Sequence, residues 1–522
     1  MFKFIITLFL NAVLFSHVVA SDEIKNTIKN SFSPGAFEIY MMPEKNNFIA
    51  QDDIEAKVWS SHIPEANTSR TYKKQIHSGV EHGSINEYDM HVPIILHGEK
   101  FIKKGKSKRR VFLTDIVPTL SNILKITTYS YSQGEPLKEA VQYKKEVPKI
   151  IMFFVIDQAG WNYFNAHKEA TPFITSTIGK GYIYENAYLN FIQSSTAVSH
   201  AVIGTGALPK HTGVYDNVPL WNGVNAVFPI YRTHDGNYTI DHLKVPTLVD
   251  LWDLKTGNQA KIFVYSSAPR SAIGLAGHGK LFKGGDKDTV FWYSEKQKNF
   301  TTHEPAFSFP DKVNNYKFAS YVKLNQKDQY WKDQTCKYKE TVYEKCFMGS
   351  PAFIEFEGDV ILSALKEEKT LGKDEIADLV FISFKGTDYC GHSLGSESLE
   401  CGRTFAQVDR QIERIANYLN GISEGETVMV ITADHGVAPL TELSGGSILN
   451  TDKLYDDING KFIRDEGVSI VKKMSHSIMN LDLGLMKSKN IDISDIKSFL
   501  NEYKVNGKKF FKKIYTYKEL EK

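Results

Sequence analysis

The chain has 522 residues, of which 42% are hydrophobic and 12% are aromatic. This length and composition exclude a disordered polypeptide and predict one large α/β domain with sizeable insertions rather than several small domains. The 63 basic residues nearly balance the 61 acidic residues, and the net charge of +2 gives no electrostatic signal for binding to nucleic acids or anionic membranes.

Residues 1–20 have the pattern of a secretory signal peptide. One early lysine precedes an apolar run that ends in Val18, Val19 and Ala20, and polar residues follow. This order predicts cleavage after Ala20 and export to the periplasm or the medium. The alternative, an uncleaved membrane anchor, would need a longer apolar run, and no other segment is apolar enough to span a bilayer. Residues 21–79 form a polar N-terminal segment without recognisable chemistry.

Export makes the four cysteines candidates for disulfide bonds. Cys336 and Cys346 are ten residues apart, and Cys390 and Cys401 are eleven apart. Two local disulfides are the simplest pairing in an oxidising compartment, although four cysteines allow three connectivities. An unpaired thiol at Cys390 is the alternative.

Three apolar runs end at aspartates: residues 149–157 (KIIMFFVID), 378–388 (DLVFISFKGTD) and 427–437 (TVMVITADHGV). Each run is long enough for one buried strand, and an open α/β sheet carries its chemistry at the ends of such strands. These strand ends would bring five candidate ligands to one edge of the sheet, namely Asp157, Asp388, His392, Asp434 and His435. Such a set of carboxylates and imidazoles suits zinc or a similar divalent ion.

A group of hydroxyl residues precedes a predicted helix within residues 191–217. Ser194, Ser195, Thr196 and Ser199 lie before or within a stretch rich in alanine, valine and isoleucine. A hydroxyl group at the start of a helix meets backbone N–H groups and the positive end of the helix dipole, which favour its alkoxide and a bound phosphoryl group. An ordinary serine or threonine N-cap explains the same pattern.

The segment before the first of the three runs carries two more candidate ligands. His82 and His91 lie in a loop that leads into a short apolar strand, and residues 114–126 are predicted to form a helix. The polar residues 127–147 are typical of a linker.

Residues from about 221 to 350 are rich in Tyr, Phe, Trp and Lys and contain few long periodic elements. We expect them to form a cap insertion that covers the site rather than a second independent domain. Within them, Arg270 lies in a turn of small residues where it can bind an oxyanion, with a surface arginine as the alternative.

Together these motifs resemble the alkaline phosphatase superfamily, in the branch of type I phosphodiesterase/nucleotide pyrophosphatase enzymes and periplasmic alkaline phosphatases with a threonine nucleophile. The resemblance implies an α/β sandwich with a central, mostly parallel sheet between helices, plus the inserted cap. Thr196, which precedes Ala-Val-Ser-His-Ala, matches the nucleophile, and Asn217 and Arg270 match phosphate-binding residues. The residues that match metal ligands are Asp157, Thr196, Asp388, His392, Asp434, His435 and His82. His91 is the alternative to His82 as the last ligand.

The order of the motifs departs from that family. The loop at His82, the strand after it and the helix at 114–126 match elements that end the relatives, after the A-D-H-G motif, whereas here they come first. The resemblance therefore implies a circularly permuted catalytic domain over residues 80–522, in which 80–126 is the displaced C-terminal part and 127–147 is the new join. A misjoined gene is the alternative, and the signal peptide in front of the displaced segment argues against it.

A second departure concerns the substrate. Relatives that prefer phosphate monoesters have a Lys-x-Arg pair that contacts the phosphate, and here Arg270 matches the arginine while Ala268 replaces the lysine. Because monoester dianions carry one more negative charge than diesters, loss of a cation weakens the preference for them. The choice between monoesters and diesters therefore stays open.

The function implied by the resemblance is hydrolysis of small phosphate monoesters at two zinc ions through a phospho-threonine intermediate. A phosphodiesterase or nucleotide pyrophosphatase is the alternative, and a metal-binding protein without catalysis is a third possibility. A sulfatase of the same fold is disfavoured because the chain has no Cys-x-Pro-x-Arg or Ser-x-Pro-x-Arg motif. The sequence leaves the natural substrate, the metal and the oligomeric state open.

Overall fold

The computed structural model describes residues 24–32, 36–50, 58–64, 71–76, 79–127, 131–221, 226–294, 296–325, 348–463 and 468–521. The predicted signal peptide and the predicted disulfide between Cys336 and Cys346 lie outside these residues. Within the described ranges, no helix has both the length and the apolar character needed to cross a bilayer.

The strands, in chain order, are β1 (Ile39–Pro43), β2 (Phe48–Ala50), β3 (Val58–Pro64), β4 (Thr71–Ile76), β5 (His91–His97), β6 (Gly105–Ser107), β7 (Val111–Phe112), β8 (Ile150–Ile156), β9 (Tyr182–Tyr188), β10 (Leu220–Trp221), β11 (Ala226–Val227), β12 (Ile262–Ser266), β13 (Thr289–Ser294), β14 (Asn299–Thr301), β15 (Asp378–Phe384), β16 (Thr427–Thr432), β17 (Ile448–Asn450), β18 (Val471–Ser475), β19 (Ile478–Leu481), β20 (Lys504–Val505), β21 (Lys508–Lys509) and β22 (Phe511–Thr516).

The helices, in chain order, are α1 (24–31), α2 (Glu87–Met90), α3 (Ile116–Leu124), α4 (Trp161–Ala166), α5 (Pro172–Lys180), α6 (Thr196–Thr205), α7 (Pro209–Thr212), α8 (Leu248–Thr256), α9 (Pro269–Ala276), α10 (Phe318–Asn325), α11 (Pro351–Leu365), α12 (Gly386–Leu394), α13 (Leu399–Ile422), α14 (Thr441–Ser444), α15 (Thr451–Phe462), α16 (Leu483–Ser488), α17 (Ile493–Asn501) and α18 (Tyr517–Glu521).

The centre of the molecule is a ten-stranded sheet with the order β14-β13-β12-β15-β8-β16-β5-β9-β6, in which β7 also pairs with β9. Strands β13, β12, β15, β8 and β16 are parallel to one another. Strand β5 is antiparallel to both β16 and β9, and β14 is antiparallel to β13. Helices flank this sheet, so the predicted α/β class with a central, mostly parallel sheet is confirmed.

The three apolar runs that end at aspartates form adjacent strands in the middle of this sheet. They are β15, β8 and β16, and every residue of each strand is buried. A strand covered on both faces needs a continuous apolar run, which is the pattern that the sequence shows. Because the three strands are parallel, their carboxyl ends lie at the same edge of the sheet.

The segment before β8 belongs to the same core. Strand β5 lies between β16 and β9, and α3 buries its apolar face against the body of the protein. The predicted linker also packs on the body of the protein. Ser132 forms an isolated antiparallel β-bridge with Ala207, and Val141 forms one with Ile102. Residues 79–127 are therefore built into the central sheet and do not form a separate unit.

Part of the predicted cap lies in the central sheet instead. Strands β12, β13 and β14 fall within the range from 221 to 350 and extend the sheet beyond β15. The expectation that this whole range covers the site is therefore wrong for residues 262–301. Strand β12 has only five residues, all buried, and its place in the sheet depends on pairing with β15, which is far away in the sequence.

A smaller antiparallel sheet, with the order β18-β19-β1-β22, has an apolar core of its own. Strand β1 comes from the N-terminal polar segment and pairs with β19 and β22 near the other end of the chain. Helices α15, α16 and α17 contribute Leu454, Met486 and Leu500 to this core. The two ends of the described chain are thus packed together.

Candidate active site

The candidate ligands on the three central strands meet at one edge of the sheet. Asp157 directly follows β8, Asp434 follows β16 after one residue, and Asp388 lies in the first turn of α12, just after β15. All three carboxylates are buried. Three buried carboxylates in one place repel one another unless cations lie between them.

The first cluster consists of Asp157, Asp434 and His435. The Nε2 atom of His435 lies 3.3 Å from Asp434 Oδ2 and 3.6 Å from Asp157 Oδ1. These three atoms are buried and have no hydrogen-bond partner among the described residues. Zinc with bond lengths of about 2.0–2.1 Å separates tetrahedral ligands by about 3.3 Å, so the spacing fits such an ion.

Backbone groups hold Asp434 in the orientation that leaves Oδ2 open. Its other oxygen, Oδ1, accepts hydrogen bonds of 2.9 Å from the backbone N–H groups of Gln158 and His435. Burial and the neighbouring Asp157 raise the pKa of Asp434 well above its usual value. A divalent cation would remove this penalty by replacing the proton.

The second cluster consists of His82, Asp388 and His392. Asp388 Oδ1 lies 3.2 Å from His392 Nε2 and 3.7 Å from His82 Nε2. The ligand atoms of His82, Asp388 and His435 are also close enough together to hold a divalent ion. The His82 ring stacks on that of His435 with 3.8 Å between centroids, so the two clusters are neighbours. The loop before β5 thus delivers a residue to the site, as the sequence predicted for His82.

All three candidate histidine ligands share one hydrogen-bonding arrangement. The Nδ1 atom of His82 lies 2.7 Å from the backbone carbonyl oxygen of Ser194. The Nδ1 atom of His392 lies 2.9 Å from that of Val80, and the Nδ1 atom of His435 lies 2.8 Å from that of Gly436. A carbonyl oxygen only accepts, so Nδ1 carries a proton in each ring and Nε2 faces the carboxylates. Histidines that bind metals are held in this way, because the second bond fixes the tautomer and the ring orientation.

The pKa values of the histidines reflect their burial. Burial lowers the pKa of His435 to about 3, and burial together with the neighbouring histidines lowers the pKa of His82 well below its usual value. Burial also lowers the pKa of His392, but the carboxylates of Asp388 and Glu81 outweigh it and raise this pKa to about 9. The first two rings are therefore neutral and ready to bind a cation, while His392 must release a proton to do so.

Thr196 is the first residue of α6 and Ser195 is its N-cap. The Thr196 side chain points into the site, where its Oγ1 accepts a hydrogen bond of 3.1 Å from Lys385 Nζ. The Oγ atoms of Ser195 and Ser199 are buried without a partner among the described residues. Of the four hydroxyl residues, Thr196 is thus the one that contacts the carboxylate clusters through Lys385.

The start of α6 also positions Asn217. Its Oδ1 accepts a hydrogen bond of 2.8 Å from the backbone N–H of Ala197, so the side chain lies next to the nucleophile candidate. Arg270, in the first turn of α9, is close enough to lower the pKa of Asp157 against the larger effect of burial. Its Nε has no hydrogen-bond partner among the described residues, which leaves this group available for a ligand.

His91, the alternative ligand, lies outside the two clusters. Its Nε2 bonds to the backbone oxygen of Glu185 at 2.8 Å, and its ring stacks on Tyr188. The structure therefore brings His82, and not His91, to the site.

Lys385 lies at the centre of the site, although no sequence motif pointed to it. This residue is fully buried, and its Nζ contacts Asp388 Oδ2 at 2.5 Å and Asp157 Oδ2 at 3.0 Å, in addition to Thr196. One signal was present, because Lys385 directly follows the buried strand β15 and precedes Asp388 by three residues. A lysine between an apolar strand and a site aspartate is placed to face that site.

The predicted disulfide between Cys390 and Cys401 is present, with 5.5 Å between the Cα atoms. Cys390 lies on α12 between Asp388 and His392, and Cys401 lies on the long helix α13. The disulfide thus ties the helix that carries two ligands of the second cluster to a large helix of the core.

Comparisons with known proteins place the chain among phosphoric ester hydrolases. Residues 151–505 match the family model described as type I phosphodiesterase / nucleotide pyrophosphatase. Alkaline phosphatase PhoV of Synechococcus elongatus is 24% identical over 413 residues, which are 69% of this chain and 72% of that protein. Alkaline phosphatase PafA of Elizabethkingia meningoseptica is 21% identical over 405 residues, which are 68% of this chain and 72% of that protein.

The fold is similar as well. The crystal structure of wild-type alkaline phosphatase PafA superposes with a TM-score of 0.56 at 17% identity and covers 72% of this chain and 85% of that chain. At this identity the superposition concerns the fold alone. The fold predicted from the motifs is therefore confirmed.

Proposed function

Because the chain belongs to the type I phosphodiesterase/nucleotide pyrophosphatase family, we propose that this phosphoric ester hydrolase is exported and hydrolyses phosphate monoesters through a phospho-Thr196 intermediate. It does so with two divalent metal ions, for which zinc matches the ligands best. The observation that carries the proposal is the set of three buried atoms in the first cluster that have no hydrogen-bond partner among the described residues. Lys385 links this cluster to the Thr196 hydroxyl through its bonds to Asp157 and Thr196.

The ligands divide between two sites. Asp157, Asp434 and His435 would hold one ion together with Thr196, and His82, Asp388 and His392 would hold the other. When bound, the ions supply Lewis-acid stabilisation of negative charge on the reacting oxygens.

The protein's own residues account for the rest of the reaction. The Oγ of Thr196 attacks phosphorus and gives up its proton to solvent, while the ester bond breaks and the leaving alcohol takes a proton from solvent. The start of α6 and the side chains of Asn217 and Arg270 bind the nonbridging oxygens. A water molecule then attacks phosphorus, the bond to Thr196 breaks, Thr196 regains a proton and inorganic phosphate leaves.

The alternative function is a phosphodiesterase or nucleotide pyrophosphatase. The family description and the alanine at position 268 favour it, because a diester carries less negative charge and needs fewer cations. Turnover of nitrophenyl phosphate and of bis-nitrophenyl phosphate, each with and without a chelator, decides between them. We expect metal-dependent turnover with a higher kcat/KM for the monoester. Preference for the diester would favour the alternative, and turnover of neither would leave a metal-binding protein without catalysis.

The chain order is part of the proposal. Residues 80–126 act as the displaced C-terminal part of a catalytic domain that extends over residues 80–522. Two observations support this: the family match begins only at residue 151, and the earlier segment nevertheless contributes His82 and strand β5 to the core.

Export rests on residues 1–20. N-terminal sequencing of the protein recovered from the periplasm or the medium should begin at Ser21. A mature protein that retains residues 1–20 would contradict cleavage, and retention inside the cell would contradict export.

A further inference from the structure

Lys385 is the buried cation of the site. It is the N-cap residue of α12, at the corner between β15 and that helix, and its side chain is fully buried. Lysines are rarely buried in this way because removal of the ammonium group from water is costly unless it is paired. Here Nζ donates three hydrogen bonds, to Asp157 Oδ2, Asp388 Oδ2 and Thr196 Oγ1.

Lys385 and the two metal clusters use different oxygen atoms. Asp157 and Asp388 direct Oδ2 to Lys385, whereas their Oδ1 atoms face the histidines. The ammonium group therefore leaves the Oδ1 atoms of both aspartates on the histidine side, and it contacts Thr196 Oγ1, which the proposed first ion would also use. It is a third positive centre between the two clusters.

The contact with Thr196 distinguishes Lys385 from a purely structural ion pair. A half-buried lysine elsewhere, Lys473, pairs with Asp216 and contacts neither cluster nor the nucleophile candidate. A phosphoryl group on Thr196 Oγ1 has its nonbridging oxygens one bond beyond phosphorus. Those oxygens lie within reach of an ammonium group 3.1 Å from Oγ1.

Besides Lys385, the side-chain cation that acts on Asp157 among the described residues is Arg270. Ala268 is the buried N-cap residue of α9 and carries no charge, so α9 presents only Arg270 to the site. Lys385 supplies a second protein cation from the opposite element, the corner between β15 and α12.

We propose that Lys385 is a catalytic residue that orients the Thr196 hydroxyl and contacts a nonbridging oxygen of the transferred phosphoryl group. This inference rests on the proposed function and names its substrate class, since the additional cation selects dianionic phosphate monoesters over diesters. Both substrate classes use the contact with Thr196, but only the monoester has the extra negative charge that the ammonium group compensates.

The test compares Lys385→Met, Lys385→Gln and Lys385→Arg with the wild type as metal-loaded full-length proteins. For Lys385→Met, kcat/KM for nitrophenyl phosphate should fall about 100- to 1,000-fold, the range found when one donor to a developing charge is removed. In the same variant, the fall in kcat/KM for bis-nitrophenyl phosphate should be at least about tenfold smaller. Lys385→Gln keeps a donor for the carboxylates, and it should lower the ratio of kcat/KM for the monoester to kcat/KM for the diester as much as Lys385→Met does. Lys385→Arg keeps the positive charge and should retain most of the wild-type ratio.

Two readouts do not depend on turnover. Calorimetric binding of inorganic phosphate should weaken at least about tenfold in Lys385→Met and Lys385→Gln, while the metal content per chain stays at the wild-type value. Lys473→Met is the control for loss of an ion-paired, half-buried lysine, and it should leave the ratio of monoester to diester turnover unchanged.

An unchanged ratio and unchanged phosphate affinity in Lys385→Gln would overturn the inference. Loss of metal from both uncharged variants would overturn it as well, because Lys385 would then only hold the carboxylates for the ions. If the wild type hydrolyses neither substrate, the proposed function itself fails, and the phosphate-binding measurement still decides the role of Lys385.

Discussion

Replacement of His82 by alanine separates the chemical role of the N-terminal loop from its structural role. His91 provides a matched control, since both residues belong to the same segment. Each bonds to one backbone carbonyl, that of Ser194 at 2.7 Å for His82 and that of Glu185 at 2.8 Å for His91. Each ring also stacks on an aromatic neighbour.

Loss of either ring should cost a similar amount of stability. The carbonyl left without a donor accounts for about 1–3 kcal/mol in each variant. Only His82 faces Asp388 and His392, so only His82→Ala should weaken one metal site. Even partners of metal ligands change metal affinity about 10- to 100-fold, and loss of a direct ligand should exceed this.

The assay is metal content per chain after dialysis, measured together with kcat/KM for nitrophenyl phosphate and the unfolding temperature. His82→Ala should retain one ion of two and lose at least about 100-fold in kcat/KM. His91→Ala should retain both ions and most of the activity, with a similar unfolding temperature. Full metal content and activity in His82→Ala, or equal losses in both variants, would refute the assignment of His82 to the second cluster.

Two further predictions concern the chain order and a buried acid. A chain that begins at residue 128 should bind one ion instead of two and have no measurable turnover, and a truncated chain with two ions and full activity would show that residues 80–126 are not part of the catalytic domain. Glu357 is fully buried and accepts a hydrogen bond of 3.0 Å from Tyr265, and burial raises its pKa to about 8 from 4.5. Between these two values the folded chain keeps a proton that the unfolded chain releases, so stability falls as the pH rises, by up to about 1.4 kcal/mol per pH unit. Glu357→Gln should flatten this slope in urea unfolding at about pH 6 and pH 8, and equal slopes in the variant and the wild type would contradict the prediction.

The central strands could be predicted from the sequence because their signal is local. Each of β8, β15 and β16 is a continuous apolar run that ends near an aspartate, and burial on both faces requires such a run. The meeting of Asp157, Asp388 and Asp434 follows from the parallel order of these strands.

Features that depend on distant pairing could not be predicted in the same way. Strand β12 has five residues, and its neighbour β15 lies more than 100 residues away, so the sequence favoured a cap over a sheet strand. Strand β1 is a short apolar stretch within a polar segment, and its partners β19 and β22 lie more than 400 residues away.

Lys385 was missed for a different reason. Hydrophobic patterns assign lysine to the surface, so its position after a buried strand was a weak signal until its partners were known. The choice between His82 and His91 likewise depended on which ring lies beside Asp388.

The central claim is that Thr196 carries the phosphoryl group during turnover. Its most direct test is mass spectrometry of protein that has been quenched in acid while it hydrolyses nitrophenyl phosphate. We expect one phosphate on Thr196 in the wild type, and neither phosphate nor turnover in Thr196→Ala, whose metal content should stay nearly unchanged. Phosphate on Ser195 instead, or turnover by Thr196→Ala at the wild-type rate, would contradict the claim.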